Sequence, residues 1–282
     1  MDLLEAEPAA TGPENETPSQ GRTVWNATWP KLGAVGVVLL VWQIVVWTGW
    51  KPSYLFPGPR EVLPRLWHDV MNGELLKASL ITMRRGVVGY ALAIIIGIGL
   101  GAAVSQSRIL RSAIGSLITG LQTMPSIAWF PLAVLLFQAS ETAILFVVVL
   151  GAAPAVANGL ITGVDHIPPI LLRAGKMMGA RGFAKYRHVV FPAALPSFIG
   201  GLKQAWAFAW RSLMAGELIV IIATRPSLGA RLQIAREFAD SEGMLAAMIV
   251  ILMIGIAVDS LVFGRLERAV RRRWGLLDPA GG

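Results

Sequence analysis

Apolar residues fall into six long runs that short polar stretches separate. The runs cover about residues 32–47, 86–104, 112–139, 142–164, 197–223 and 244–263. Between Arg85 and Arg108 no charge occurs for about 22 residues, and a helix that crosses a bilayer needs about 20. Because backbone polar groups find no water inside lipid, a crossing segment of this kind must be helical. The pattern therefore predicts an all-α polytopic membrane protein with about six transmembrane helices.

The third run differs from the others because it contains two prolines. Pro125 and Pro131 stand within the sequence LQTMPSIAWFPL. Proline removes a backbone donor and disrupts the helix before it. The segment is therefore either one kinked helix or an interrupted helix, and an interrupted helix at membrane depth must line a cavity or be buried in protein.

Composition supports the membrane assignment. The chain has 282 residues, of which 55% are hydrophobic and 15% charged, whereas soluble domains carry about 25% charged residues. The net charge of +8 comes from basic residues at the ends of the apolar runs. That placement is typical of cytoplasmic membrane flanks rather than of nucleic-acid binding.

The distribution of Lys and Arg predicts the topology and the domain boundaries. Residues 105–112, 165–196 and the C-terminal tail are rich in these residues, which places both termini in the cytoplasm. We assign residues 1–30 to a disordered acidic tail, 31–264 to a transmembrane domain that includes the cytoplasmic loop 165–196, and 265–282 to a basic cytoplasmic tail.

Catalytic and metal-binding classes receive no support. The chain has no cysteine, and its three histidines are scattered. Gly175-Lys176 is followed by Met177, with no glycine at the P-loop position upstream, so no nucleotide-binding motif is present. No paired carboxylates or Ser/His arrangement suggests an enzyme. We expect no cofactor on this chain.

The loop 165–196 has a pattern of its own. After Pro168 and Pro169, apolar residues recur at helical spacing and alternate with Arg173, Lys176 and Arg181. This predicts a short basic amphipathic helix in the cytoplasm. Such a helix lies on anionic lipid or fills a groove on a partner protein, and residue type does not decide between the two.

The fifth run carries three charges inside an apolar segment. A helix entering the membrane near Ser197 places Arg211 about 21 Å deep at ~1.5 Å per residue. On this geometry Lys203 and Glu217 extend to opposite interfaces. Arg211 is too deep for that and should face the interior. It is then either a partner in an ion pair, with Glu217 or a carboxylate of another subunit, or an anchor for an anionic solute.

The spacing in the cytoplasmic loop resembles a signature of bacterial ABC-transporter permeases. That signature reads Glu-Ala-Ala, three residues, Gly, nine residues, Ile, one residue, Leu-Pro. Its positions are filled here by Arg173-Ala174-Gly175, Gly179, Val189 and Phe191-Pro192. Pro57-Gly58-Pro59, PSIAWFPLAVLLF, FPAALPSFIGGLK, Trp210, Glu217 and Leu228-Gly229 are similar to the nitrate/sulfonate/taurine subfamily.

The resemblance implies a type I importer (MetI-like) permease fold in the bacterial inner membrane. It implies a homodimer of permeases, two ATP-binding subunits that hold ATP and Mg²⁺, and an extracytoplasmic solute-binding protein. The implied ATPase-coupling residues are Ile170, Leu171, Arg173, Ala174, Gly175, Met178, Gly179, Ala180 and Arg181. The implied translocation-path residues are Gln122, Pro125, Ser126, Trp129, Trp210, Arg211 and Glu217.

Residue patterns and resemblance together predict a permease of an ATP-driven importer for a small anion of the sulfonate, taurine, nitrate or bicarbonate type. The alternative is a stand-alone ion-coupled transporter. That class favours inverted repeats and a coupling carboxylate at the membrane midplane, and the chain shows neither.

Overall fold

The computed structural model describes residues 20–274, and side chains from Trp29 onward except that of Lys31. The described residues form two compact units, which divide after Pro59. In the first unit, α1 spans Gln20–Trp47, and the Trp42 indole Nε1 donates to the Pro57 carbonyl at 3.2 Å. Most of the predicted acidic tail lies outside the described residues, but residues 20–30 are helical and belong to α1.

The second unit contains the remaining described helices, and all its regular elements are helical. In chain order they are α2 Pro59–Met71, α3 Glu74–Gln106, α4 Arg108–Thr123, α5 Phe130–Phe137, α6 Glu141–Asp165, α7 Pro169–Met177, α8 Gly182–Lys185, α9 Phe191–Ile219, α10 Leu228–Glu237, α11 Ser241–Val258 and α12 Gly264–Arg273. A 3₁₀ turn covers Ser126–Trp129, and π turns cover Tyr186–Val190 and Asp259–Phe263.

Helix α6 is the centre of the unit because α3 and α9 both pack along it. Glycines allow the close approach: a Cβ on Gly97 would lie 2.5 Å from Val156 Cβ, and a Cβ on Gly159 would lie 2.6 Å from Gly201 Cα. Small residues at such crossings allow the backbones of membrane helices to approach closely. A Cβ on Gly89 or Gly101 would likewise lie within 3 Å of α6, whereas a Cβ on Gly99 would meet nothing within 4 Å.

The third predicted span is interrupted rather than kinked. α4 and the helical segment Ser126–Phe137 meet at an angle of 102°. Met124, which precedes Pro125, has φ −76° and ψ 127°, the extended backbone that a following proline favours. Pro131 then stands in the first turn of α5, where its missing N–H costs nothing.

Three helical segments among the described residues are long and apolar enough to cross a membrane: α3, α6 and the continuous stretch Ser241–Arg273. The bent pair of α4 and the segment after it would make a fourth. Neither the predicted first span nor the predicted fifth span is both long and apolar enough by the same criterion. The apolar part of α1 is short, covering Leu32–Trp47, and α9 carries Lys203, Arg211 and Glu217. A total of six spans therefore stays a prediction.

Candidate functional site

Helix α7 is a short helix whose ends are both fixed by local chemistry. Pro169 occupies its first turn, where proline is tolerated. At the other end Gly179 has φ +82°, the left-handed conformation that glycine adopts without a steric penalty. The Ala180 N–H donates to the Gly175 carbonyl at 2.9 Å and the Gly179 N–H to the Lys176 carbonyl at 3.1 Å. This pair of hydrogen bonds is a Schellman C-cap.

One face of α7 attaches the helix to the bundle. Leu172 packs against a buried cluster of Ile167, Val190 and Ala194. Gly175 is buried under Val189, and a Cβ on Gly175 would lie 2.6 Å from Val189 Cγ2. These two residues occupy the third and the isoleucine positions of the loop signature. The contact explains why glycine stands where the signature has alanine, since a larger residue would displace α7.

The opposite face of α7 is open. Ile170 is 71% exposed, and Met177 and Met178 are each 84% exposed. Arg173, Lys176 and Arg181 are exposed as well and take part in none of the ion pairs found among the described residues. Of the nine predicted coupling residues, seven are exposed (Ile170, Leu171, Arg173, Ala174, Met178, Gly179, Arg181), Ala180 is half-buried and Gly175 is buried.

Most of the predicted loop 165–196 is helical. α8 begins at Gly182 and runs through the π turn Tyr186–Val190 into α9 without a break. The fifth helical segment therefore begins well before Ser197, its predicted start. Pro192 lies in the first turn of α9, and Pro196 is accommodated inside it. The exposed turn around Gly179 is thus connected directly to the long helix that crosses α6.

Arg211 is exposed on α9 and makes no ion pair with Glu217. Its Nε donates to the Ala207 carbonyl at 3.1 Å, and its guanidinium lies 5.0 Å from the Phe208 ring centroid. An arginine over an aromatic face gains a cation–π attraction. Of the alternatives considered for Arg211, pairing with Glu217 is not found, because Glu217 pairs with Arg85 instead. A carboxylate of another subunit and an anionic solute stay predictions.

Glu217 is fully buried among protein groups and does not extend into solvent. The Arg85 guanidinium donates to its Oε1 at 3.0 Å, and the Thr82 hydroxyl donates to its Oε2 at 2.8 Å. The Gly229 N–H also donates to Oε2, at 3.2 Å. Both oxygens of the carboxylate are therefore hydrogen-bonded within the protein, which is the condition for burying a charge.

The buried pair belongs to a larger network that sequence reasoning missed. Arg85 also donates to Glu141 Oε1, and Arg225 lies 2.7 Å from Glu141 Oε2. The only sequence signal was the pair Arg84-Arg85 on the side predicted to be extracytoplasmic, where the distribution rule does not favour arginine. We name this set Arg85, Glu141, Glu217 and Arg225 the charge network.

The other predicted path residues do not meet at one point. The Gln122 amide donates to the Pro154 carbonyl of α6 at 3.1 Å. Trp210 stacks on Trp206, with ring centroids 6.0 Å apart, and lines a groove against α11. Pro125, Ser126 and Trp129 lie at the break between α4 and α5.

Residues 93–272 match the family described as binding-protein-dependent transport system inner membrane component. The chain belongs to this family. The match covers the whole region from the middle of α3 to α12 and includes both α7 and the break after α4. The chain is therefore a permease component of an ABC importer.

Relatives of this permease transport different solutes, as their names indicate. It is 29% identical to the taurine transport system permease of Escherichia coli over 92% of this chain and 95% of the relative. It is 29% identical to the riboflavin transport permease of Chloroflexus aurantiacus over 89% and 93% of the two chains. A nitrate import permease of Synechococcus elongatus is 24% identical over 86% and 91%.

Solved structures confirm the type I importer fold. The methionine ABC transporter MetNI in an inward-facing conformation matches this permease with a TM-score of 0.60 at 18% sequence identity. The match covers 70% of this chain and 95% of that chain. The predicted fold class is thereby confirmed.

Proposed function

We propose that this permease forms the translocation path of an importer for a small anion of the sulfonate, taurine, nitrate or bicarbonate type. Two of the relatives carry small anionic or zwitterionic solutes by name, taurine and nitrate. The riboflavin relative shows that the family also serves other solutes. Arg211 supports the anionic class, because it is exposed on α9 and its guanidinium matches multi-oxygen anions.

Two copies of the permease pair in this proposal, and each binds one ATPase subunit. ATP and Mg²⁺ stay on those subunits, and an extracytoplasmic binding protein delivers the solute. Both termini and α7 then face the cytoplasm. The basic C-terminal helix α12, with Arg271, Arg272 and Arg273 in its last turn, supports this orientation.

The ATPase binds at α7. One observation carries this assignment: α7 is anchored to the segment leading into α9 through Gly175 and Val189, while its opposite face exposes Ile170, Met177 and Met178. Exposed apolar side chains beside basic ones fit a groove on a protein partner. Because α8 and α9 continue directly from the turn at Gly179, movement of the ATPase would be transmitted along α9 to Arg211.

A substitution at Gly179 tests the coupling. A β-branched residue cannot adopt φ +82° without strain, so Gly179→Val should displace α7 relative to α8. In reconstituted vesicles containing the complete importer, we expect solute uptake to fall at least about tenfold while ATP hydrolysis continues uncoupled from it. Gly73→Val is the matched control, because Gly73 has φ +74° but lies at the opposite end of the bundle, before α3.

Equal uptake in the Gly179→Val and wild-type importers would show that the turn does not couple the two subunits. Gly179→Asn should retain most uptake, since asparagine tolerates the left-handed conformation. Co-purification separates importer from stand-alone transporter: a tagged permease that brings down no ATPase in mild detergent would favour the ion-coupled alternative.

Arg211 requires its own experiment. Arg211→Ala and Arg211→Lys should both assemble with the ATPase, because the Arg211 side chain makes no ion pair within the described chain. We expect uptake of the anion to be lost in Arg211→Ala and reduced in Arg211→Lys, which keeps the charge but not the bidentate geometry. Failure of both variants to assemble would instead assign Arg211 to the contact between subunits.

A further inference from the structure

A second positively charged site lies at the end of the bundle opposite α7. A cleft of about 160 Å³ opens there between α3, α6 and the turn that precedes α10. Its polar wall consists of Arg84, Arg85, Arg225 and Glu141, and its apolar wall of Ile81, Val88 and Leu145. Three arginines on one small cleft make it a candidate site for an anion.

The charges in and behind this cleft do not balance. Arg85 is almost completely buried and is paired with both Glu217 and Glu141, while Arg225 pairs with the other oxygen of Glu141. Both carboxylates are therefore neutralised by two of the arginines. Arg84 is exposed and forms no ion pair with any described residue. Three arginines face two carboxylates, which leaves one positive charge, located on Arg84.

The cleft lies at the boundary of the apolar layer. Residues 86–106 of α3 carry no charge and span about 30 Å at ~1.5 Å per residue, which matches the hydrocarbon thickness of a bilayer. Arg84 and Arg85 immediately precede this stretch. Glu141 likewise precedes the uncharged residues 142–164 of α6. The excess charge is thus placed at headgroup depth, where a nearby apolar medium strengthens its attraction for an anion.

We propose that this cleft binds a single oxyanion through Arg84, with Arg225 as its second donor. A guanidinium donates two parallel hydrogen bonds to a phosphate or sulfonate group, and one negative charge would balance the cluster. The oxyanion is either the phosphate of a lipid headgroup, whose chains would follow Val88 and Leu145, or a sulfonate-type solute entering the importer. The assignment of a sulfonate-type solute to this cleft rests on the proposed function, whereas the assignment of an oxyanion site does not.

The test measures binding directly and needs no ATPase. The full-length permease is placed in nanodiscs of phosphatidylcholine alone or with added phosphatidylglycerol, and bound phosphatidylglycerol is counted by native mass spectrometry. In a second arm, radiolabelled methanesulfonate is titrated onto permease in phosphatidylcholine nanodiscs. Arg84→Gln is compared with Lys77→Gln, which removes the same charge from an exposed position of α3 outside the cleft.

We expect Arg84→Gln to weaken binding by about tenfold in one arm, because one charge-assisted contact is lost, and Lys77→Gln to change it less than about twofold. Loss in the phosphatidylglycerol arm identifies a lipid site, and loss in the methanesulfonate arm identifies a solute site. Equal losses in both variants, or none in either arm, would overturn the proposal. Thermal melting of each variant verifies the fold, and the Gly179 experiment remains independent of all these outcomes.

Discussion

Polar and apolar side chains are placed in opposite ways at the two ends of the α6–α9 helix pair: a charged side chain is buried at one end and apolar side chains are exposed at the other. At the α10 end, Glu217 is completely buried and all its hydrogen bonds come from within the described chain. At the α7 end, Ile170, Met177 and Met178 are exposed, and the neighbouring basic side chains have no ionic partner among the described residues. At the α10 end the carboxylate of Glu217 is fully hydrogen-bonded within the protein. At the α7 end the exposed side chains form a surface that a second protein can cover.

The two ends of α9 differ in how firmly they are attached to the rest of the bundle. α9 carries Glu217 near its C-terminus, locked to α3 by Arg85 and Thr82, and it continues at its N-terminus into the turn that bears α7. A force applied at α7 therefore acts on a helix whose far end is fixed. We infer that α9 is held more firmly at its α10 end than at its α7 end, and the free energy of unfolding of matched variants can test that contrast.

The largest loss of stability should follow from Glu217→Ala. Removing the carboxylate leaves the buried Arg85 with the partly exposed Glu141 as its ionic partner and leaves the Thr82 hydroxyl and the Gly229 N–H without their acceptor. Breaking a buried ion pair by removing one partner costs about 3–5 kcal/mol. The unfolding free energy, measured by titration with SDS in mixed micelles, should fall by that amount. The matched change at the other end is Asp165→Ala, which breaks the half-exposed pair with Arg111.

For Asp165→Ala we expect a loss below about 1 kcal/mol, since exposed pairs are weakened by water and by side-chain entropy. If the two alanine variants lost similar stability, the contrast between a buried and an exposed end would be wrong. A double variant that also replaces Arg85 with leucine should recover part of the loss of Glu217→Ala, because the buried guanidinium that has lost its buried partner is then removed as well.

We expect an intermediate difference in unfolding free energy when two glycines, one at each end of the bundle, are each replaced by the same residue. Gly229 is required for steric reasons and Gly179 for its backbone conformation. Gly229 lies against Glu217, and a Cβ there would overlap the Glu217 side chain. Gly179 has φ +82°, but a Cβ there would meet no atom within 4 Å. Asparagine tolerates the left-handed conformation yet has a Cβ, so it distinguishes steric from conformational requirements.

We expect Gly229→Asn to lower the unfolding free energy by about 1–3 kcal/mol through overpacking, and Gly179→Asn to change it by about 0.5 kcal/mol or less. The same SDS titration measures both. A reversed order would mean that the turn after α7 is packed as tightly as the charge network, against the observed geometry.

Much of the fold follows from residue patterns alone. The helix of α7 is predictable because Pro168-Pro169 starts it, apolar residues recur at helical spacing, and Gly179 ends it. The break after α4 is predictable as one of two outcomes, since Pro125 forces an extended residue before it. Uncharged length is sufficient to locate α3 and α6.

The pairing of charges is not predictable. Arg85 and Glu217 are 132 residues apart, and depth along a helix does not tell which direction a side chain faces around it. Depth alone therefore predicts that Glu217 extends outward and that Arg211 pairs inside the protein, whereas Glu217 is fully buried and Arg211 is exposed on α9. The start of α9 is hidden because Pro192 and Pro196 suggest a loop, whereas Pro192 falls in a first turn where proline is tolerated.

The smallest change in unfolding free energy is expected for a variant of the open face of α7, which should nevertheless bind the ATPase much more weakly. In the double variant Ile170→Ser/Met177→Ser, the replaced side chains are exposed on α7, so the unfolding free energy should change by about 0.5 kcal/mol or less. Binding of the ATPase should nevertheless weaken at least about tenfold, because apolar anchors at an interface contribute most of its binding energy. Binding of the ATPase to permease immobilised in nanodiscs measures that affinity.

Leu80→Ser is the control, since Leu80 is 72% exposed near the opposite end of the bundle, and it should leave the affinity for the ATPase unchanged. Should both variants bind the ATPase equally well, the open face of α7 would not be the docking surface, and the difference between the two ends would concern stability alone.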